Sequence, residues 1–159
     1  MKNNTKNKIV VVLDNVRSAL NVGSIFRTAD SLGVDEVVLC GITATPPSKE
    51  IHKTALGAEL SVKWRKFENT TAALNTLKEE GCRIAAIEQS ERSVDLTAFH
   101  RAEGMDYAFV LGNEVEGVNS GVLEMCDEII EIEQKGIKKS LNVSVAGGIV
   151  LWEVTKAND

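Results

Sequence analysis

The chain is short of cysteine, proline, histidine and long apolar runs, and each shortage excludes something. Its three cysteines, Cys40, Cys82 and Cys126, are odd in number, far apart and include no C-x-x-C pair, so no disulfide framework is expected. With two histidines to help them they make no recognisable zinc pattern either, and no metal is expected. Two prolines and twelve glycines among 159 residues, beside 43% hydrophobic and 26% charged residues, argue against a disordered or low-complexity chain. Residues 1–8 are polar and basic, but the apolar run that follows, 9–13, is too short for a signal peptide. No stretch approaches the ~20 apolar residues of a membrane span. These absences predict a reduced, cytoplasmic protein that needs no membrane.

Positive charge is also in short supply. The formal net charge is −5, which disfavours general affinity for phosphate-rich partners, since such affinity comes from Lys and Arg. Local charge is the better test, because a basic face can coexist with an acidic remainder. Basic residues gather at Lys49, His52 and Lys53, at Lys63, Arg65 and Lys66, and at Lys135, Lys138 and Lys139. Each cluster reads equally well as a solvated surface or as part of an anion-binding face.

No internal repeat, linker or composition break divides the chain, so residues 1–159 are read as one domain without a separate extension. Short β-branched runs alternate with helical stretches. Residues 9–13 read as a buried strand, after which Val22, Ile25, Phe26, Ala29 and Leu32 recur at helical spacing until Gly33 offers a cap. Strands are expected at 36–40, 61–67, 83–87, 107–111 and 128–132. Helices are expected at 49–56, from Asn69 or Thr70 to Gly81, around 122–125, and from about 141 to 156. Uniformly apolar strands alternating with helices predict an α/β fold, a mainly parallel sheet covered on both faces. Ligands of such sheets bind beyond the C-terminal ends of the strands.

Three segments at those ends carry unusual polar content. In the first, Asn21 and Gly23 stand at a helix entrance whose free N–H groups favour an anion, with Arg17 before them and Arg27 one turn beyond Gly23. A capped helix with an exposed arginine is the plain alternative. In the second, a strand runs into Gly112-Asn113-Glu114, where Gly112 lets backbone approach a ligand, or simply makes a turn. In the third, Ser140, Leu141 and Asn142 flank the start of the last helix, either as site residues or as its cap. Gly147-Gly148 inside that helix costs roughly 1 kcal/mol per glycine relative to alanine, which points to close packing against another backbone.

Together these segments resemble the three motifs of the SpoU (TrmH-like) family of RNA ribose 2′-O-methyltransferases, over residues 8–156. The first motif, N-x-G-x-x-x-R, is met by Asn21, Gly23 and Arg27. The second, G-x-E after a strand, is met by Gly112 and Glu114. The third, S-L-N-x-S-x-A, is met by Ser140, Leu141, Asn142, Ser144 and Ala146. One departure is Glu133, which follows Ile132 where the family usually has proline, and it sets a negative charge beside the expected cofactor pocket. A dehydrogenase-like nucleotide binder is the weaker reading, since no G-x-G-x-x-G follows the first strand and no P-loop lysine exists.

The resemblance implies a C-terminal trefoil knot, an exception to the rule that chains avoid knots. It implies S-adenosylmethionine bound near Ile87, Gly112, Asn113, Ile132, Ser140 and Leu141, and an active site completed across a homodimer. It implies methylation of a ribose 2′-hydroxyl in structured RNA, tRNA ahead of rRNA, with Arg27, Asn21, Glu114, Ser140 and Asn142 as the catalytic set. Because a guanidinium holds its proton at neutral pH, Arg27 is expected to bind phosphate and stabilise charge on the 2′-oxygen rather than act as base. The expected RNA contacts are Arg17, Lys49, Lys53, Lys138 and Lys139. The alternatives are a knotted RNA-binding module without catalysis and an RNA methyltransferase acting on a base nitrogen.

Overall fold

The β-branched runs become strands buried on both faces, which only a sheet covered twice can satisfy. The computed structural model describes residues 6–156; the first five residues of the basic N-terminal stretch and the last three of the chain lie outside the described residues. In chain order the elements are β1 (Ile9–Asp14), α1 (Ala19–Leu32), β2 (Glu36–Cys40), α2 (Lys49–Ala55), α3 (Ala58–Ser61), β3 (Lys63–Phe67) and α4 (Thr70–Glu79). They continue with β4 (Cys82–Ile87), β5 (Val94–Asp95), a 3-10 turn (Leu96–Ala98), β6 (Asp106–Leu111), α5 (Ser120–Glu124), β7 (Glu128–Glu131) and α6 (Val143–Thr155).

The seven strands pair in the order β3-β2-β1-β6-β4-β7-β5, and every pairing is parallel. Alternation along β1 divides the core. Ile9, Val11 and Leu13 pack with Val22, Ile25 and Phe26 of α1 and with Val150, Leu151 and Val154 of α6. Val10 and Val12 pack with Ala73, Leu74 and Leu77 of α4 and Val122 of α5. Helices therefore cover both faces, as the strand pattern requires. Among the described residues no helix is long and apolar enough to cross a membrane.

Local signals set most boundaries. Ser18 caps α1 through its side chain, and Gly33 closes it with φ 71°, a left-handed conformation that glycine adopts without penalty. Asn69 caps α4 in the same way. β3 starts at Lys63 rather than 61 because residues 58–61 wind into the short α3, and α6 starts at Val143 because Asn142 is its cap. The two-residue β5 and the 3-10 turn after it have no counterpart in the sequence pattern, being too short to show a period.

One basic cluster is consumed by the fold. Arg65, on the edge strand β3, reaches the fully buried Glu36 at 2.8 Å and Glu80 at 2.7 Å. Hydrogen bonds to Glu80, then Glu36, push its pKa further up. Lys66 donates to the carbonyls of Gly41 and Thr43. These cations join the edge of the sheet to α4 and to the loop after β2, and serve no anion from outside.

Gly23 marks the tightest helix contact. A Cβ there would lie 2.0 Å from Thr54 Oγ1 and 2.2 Å from the Ile51 carbonyl, where α1 meets α2. Gly23→Ala is expected to lower unfolding free energy by about 1–3 kcal/mol through overpacking, read as a fall in the chemical-denaturation midpoint at unchanged slope.

Candidate functional site

Because the sheet is parallel, loops from adjacent strands gather at one edge, and β4, β6 and β7 lie side by side there. A cavity of about 270 Å³ opens at that edge. Ile87 comes from the end of β4, Leu111 and Gly112 from the end of β6, and Ile132 follows β7; Leu141, Val143 and Ala146 close it from the start of α6. Every residue expected to contact the cofactor, including Asn113 and Ser140, lines this cavity. Glu88, Gln89, Glu116 and Gln134 line it too. The motifs did not point to these four, although Glu88-Gln89 directly follow a strand end, the position at which ligands of such sheets are met.

Side-chain hydrogen bonds to backbone hold the loops in register. The Glu114 carboxylate accepts the backbone N–H of Arg17 at 2.9 Å and of Ser18 at 3.0 Å, joining the β6 loop to the start of α1. Asn113 donates to the Asn15 carbonyl at 2.7 Å and accepts from the N–H of Val115 and Glu116. Glu88 accepts from the Val118 N–H at 2.9 Å and so ties the β4 loop to the same turn. Gln89 donates to the Lys139 carbonyl at 3.0 Å, reaching the loop before α6.

These contacts revise two expectations. The anion at the α1 entrance is internal, because Glu114 takes the N–H groups of Arg17 and Ser18, and Ser18 Oγ accepts from Asn21 N. Gly23 serves helix packing rather than anion approach. Gly112 likewise makes room for the chain itself: an added Cβ would stand 2.3 Å from the Gly117 carbonyl carbon. The turn reading and the pocket reading therefore both hold at Gly112.

The expected catalytic set does not fall in one place. Glu114 and Ser140 line the cavity. Asn21 stands in the first turn of α1, where its side-chain amide helps to hold the Glu114 pKa down. Asn142 is the cap of α6, accepting from Ser144 N at 2.9 Å and Ser144 Oγ at 2.6 Å. Arg27 is exposed and faces a second groove of about 600 Å³, shared with Lys53, Thr54, Gly148 and Trp152. Six residues along a helix is about 9 Å of rise, so Arg27 stands well down the axis from Asn21. Glu133 turns away from the cavity that Ile132 and Gln134 line, and borders a third groove with Lys135 and Trp152. Its side chain is therefore not part of the lining of the expected cofactor pocket, although both its neighbours are.

Of the expected RNA contacts, Arg17, Lys49, Lys53, Lys138 and Lys139 are all exposed. Lys139 also lines the cavity, and Lys53 makes a loose pair with Glu50 at 3.7 Å. Among the described residues no group of three or more His, Cys, Asp and Glu side chains is arranged to hold a metal.

The pattern of loops has a family counterpart: the model of the SpoU rRNA Methylase family matches residues 8–152. The chain belongs to the SpoU family. A Staphylococcus saprophyticus protein assigned to the TrmH family of tRNA/rRNA methyltransferases is 34% identical over 145 residues, covering 91% of this chain and 57% of that protein. The structure of an AdoMet-bound rRNA methyltransferase from Sinorhizobium meliloti aligns with TM-score 0.85 at 29% identity, over 92% of this chain and 55% of that one. A structure solved for the 2-OH methylation of C/U34 on tRNA aligns with TM-score 0.79 at 25% identity, over 92% of this chain and 93% of that one. This SpoU chain thus spans a little over half the length of the curated relatives it matches, 57% for the Staphylococcus protein. Family membership implies the trefoil knot in the loops that carry the second and third motifs.

Glu114 supplies a titratable readout of this SpoU loop assembly. Burial works to raise its pKa, but hydrogen bonds from Arg17, Ser18, its own N–H and Asn21 outweigh that and leave it below the ordinary glutamate value. A carboxylate depressed in the fold stabilises it above the unfolded pKa, about 4.3, and loses that contribution as pH falls through the lower folded value. Glu114→Gln is accordingly expected to melt below wild type at pH 7, with the gap shrinking as pH drops under about 4, measured by thermal denaturation at a series of pH values.

Proposed function

We propose that the chain transfers a methyl group from S-adenosylmethionine to a ribose 2′-hydroxyl of structured RNA, tRNA ahead of rRNA. The observation that carries this reading is the cavity itself, which all six expected cofactor contacts line at the ends of adjacent parallel strands. Its chemistry suits the cofactor: Leu111, Ile132 and Leu141 offer apolar surface to a flat purine, and Glu88, Glu116 and Gln134 offer acceptors to ribose hydroxyls and a cation. When bound, the cofactor supplies an electrophilic methyl group on a positively charged sulfur.

The residues of the chain then have separable tasks. Glu114 and Asn113 hold the cavity loop against the start of α1, and Asn142 fixes the first turn of α6, so that Ser140 and Leu141 meet the cavity. Arg27 binds a phosphate next to the target ribose and stabilises negative charge developing on its 2′-oxygen. The proton leaves to water or a phosphate oxygen. The tRNA preference draws on the likeness to the structure solved for 2-OH methylation on tRNA, whose length is close to that of this chain.

Arg27 reaches a cavity only if a second copy of the chain brings one. The exposed face of α6 favours this: Val145, Ile149 and Trp152 are 50%, 41% and 61% exposed on a helix that is apolar nearly all round. Such a helix is ordinarily covered. The homodimer therefore buries this face and sets Arg27 of one copy against the cavity of the other. Cytoplasmic residence suits the cysteines, whose thiols burial pushes up, Cys40 to about 12 and Cys82 and Cys126 to about 11, away from reactivity.

The deciding experiment is transfer of labelled methyl to unmodified total tRNA and, separately, rRNA, with the modified nucleoside identified by mass spectrometry. Wild type is expected to yield a 2′-O-methylated nucleoside from tRNA. Arg27→Ala is expected to lose about 10²–10³-fold in kcat while binding cofactor normally; methylation of a base nitrogen overturns the ribose assignment. Trp152→Glu is expected to give a monomer by light scattering, and with it the loss of transfer.

A further inference from the structure

A groove of about 830 Å³ on the far side of α2 belongs to none of the three motifs. Its floor is apolar: the cis Pro46–Pro47 pair on one side, Leu60, 86% exposed, and the half-buried Trp64 of edge strand β3. Its rim is cationic, with Lys49 and Lys53 projecting from α2. The acidic groups nearby do not cancel that charge. Glu59 is buried and answered by His52 Nδ1 at 2.6 Å and the Gly57 N–H at 3.1 Å, and Glu50 only loosely meets the exposed Lys53. The two exposed lysine ammonium groups thus stand at the rim, while the Glu59 carboxylate is withdrawn into the fold.

Aromatic exposure is equally selective. Of seven aromatic residues, Phe26, Phe99, Phe109 and Tyr107 are buried in the core and Phe67 is half-buried under the Arg65 guanidinium, whereas Trp64 and Trp152 border grooves. Lys53 borders both the Trp64 groove and the groove of Arg27, so one cation stands between them. An occupant must be flat and apolar at its centre, negatively charged at its margins, and long enough to pass from one groove to the other. An RNA strand with one base unstacked has all three properties, and aromatic side chains are the usual platforms for such bases.

We propose that this groove docks an unstacked base of the RNA substrate beside the modified nucleotide, with Trp64 as the stacking surface and Lys49 and Lys53 holding the flanking phosphates. The assignment rests on the reading of the chain as an RNA methyltransferase, and it makes the groove, rather than the cofactor cavity, a determinant of which RNA is chosen. Nothing in it depends on which atom of the RNA receives the methyl group.

The test uses the whole protein with unmodified total tRNA. Ultraviolet cross-linking followed by peptide mass spectrometry is expected to place a nucleotide adduct on Trp64. Leu60→Ser, at an exposed position that leaves the core intact, and the double variant Lys49→Ala/Lys53→Ala are each expected to raise KM for RNA about tenfold, within the range of one lost stacked base. Cofactor binding and kcat at saturating RNA should stay near wild type. Transfer to tRNA with no adduct in the segment 49–64 and unchanged KM in both variants overturns the groove proposal and leaves the activity standing. Failure of wild type to bind or methylate any RNA removes the activity and the groove together. A change of oligomeric state in Leu60→Ser marks the groove as a protein interface and overturns the proposal as well.

Discussion

The arrangement of the site depends on one carboxylate and the backbone it holds. Glu114 leaves the end of β6 and accepts the N–H groups of Arg17 and Ser18, which open α1 after β1. β1 and β6 are neighbours in the sheet, so this contact closes the edge where the strand order changes direction. Asn113 and Glu88 extend the same device to the loops after β1 and β4, each by meeting backbone groups that would otherwise be unpaired. The cavity is thus walled by loops fixed to one another, which is how a site built on loops acquires the rigidity of the sheet beneath it.

The residues expected to act are divided between two places on the chain. The cavity and the exposed Arg27 belong to different grooves of one chain, and the face of α6 between them is apolar and uncovered. Gly147 shows how little of that helix is free to serve the outside: it packs within the chain, where a Cβ would come 3.0 Å from Leu111 Cδ1. Gly148, by contrast, has open space beyond it and lies beside Trp152. Of the paired glycines, one fits α6 to the sheet and the other leaves its outer face low enough for a second helix to approach. The proposed site completed by a second copy rests on this division.

Much of the fold was legible because burial on both faces of a parallel sheet writes itself into short β-branched runs, and because Asn69 and Gly33 mark helix ends chemically. What escaped was too short to have a period, as with β5 and α3, or was decided by tertiary contact. Asn142 is a helix cap, one of the two readings its place at the start of α6 allowed, while Gly23 is required by neighbouring chain and Gly112 both makes room for neighbouring chain and lines the cavity. That Ile87, Gly112, Asn113, Ile132, Ser140 and Leu141 would come together was legible because the family resemblance names those positions, and they line one cavity. Glu88, Gln89 and Gln134 were not legible, since a polar residue after a strand has no signature until the loops are folded together. The basic cluster around Arg65 stayed open between surface and anion site for the same reason: charge in sequence does not reveal that Glu36 and Glu80 have already claimed the guanidinium.

The central claim, that Arg27 serves the cavity of another copy, is tested most directly by mixing two inactive variants. One carries Arg27→Ala with its cavity intact; the other keeps Arg27 but carries Leu141→Arg, which sets a cation in the cavity against the positively charged sulfur. Unfolded together and refolded in equal amounts, they form mixed dimers in which a single site has both an intact cavity and a facing Arg27. Recovery of roughly a quarter of the wild-type transfer rate is required if the site is shared in a symmetric dimer. Mixed dimers that form, bind cofactor and remain inactive would show that Arg27 and the cavity must come from one chain, and would contradict the account.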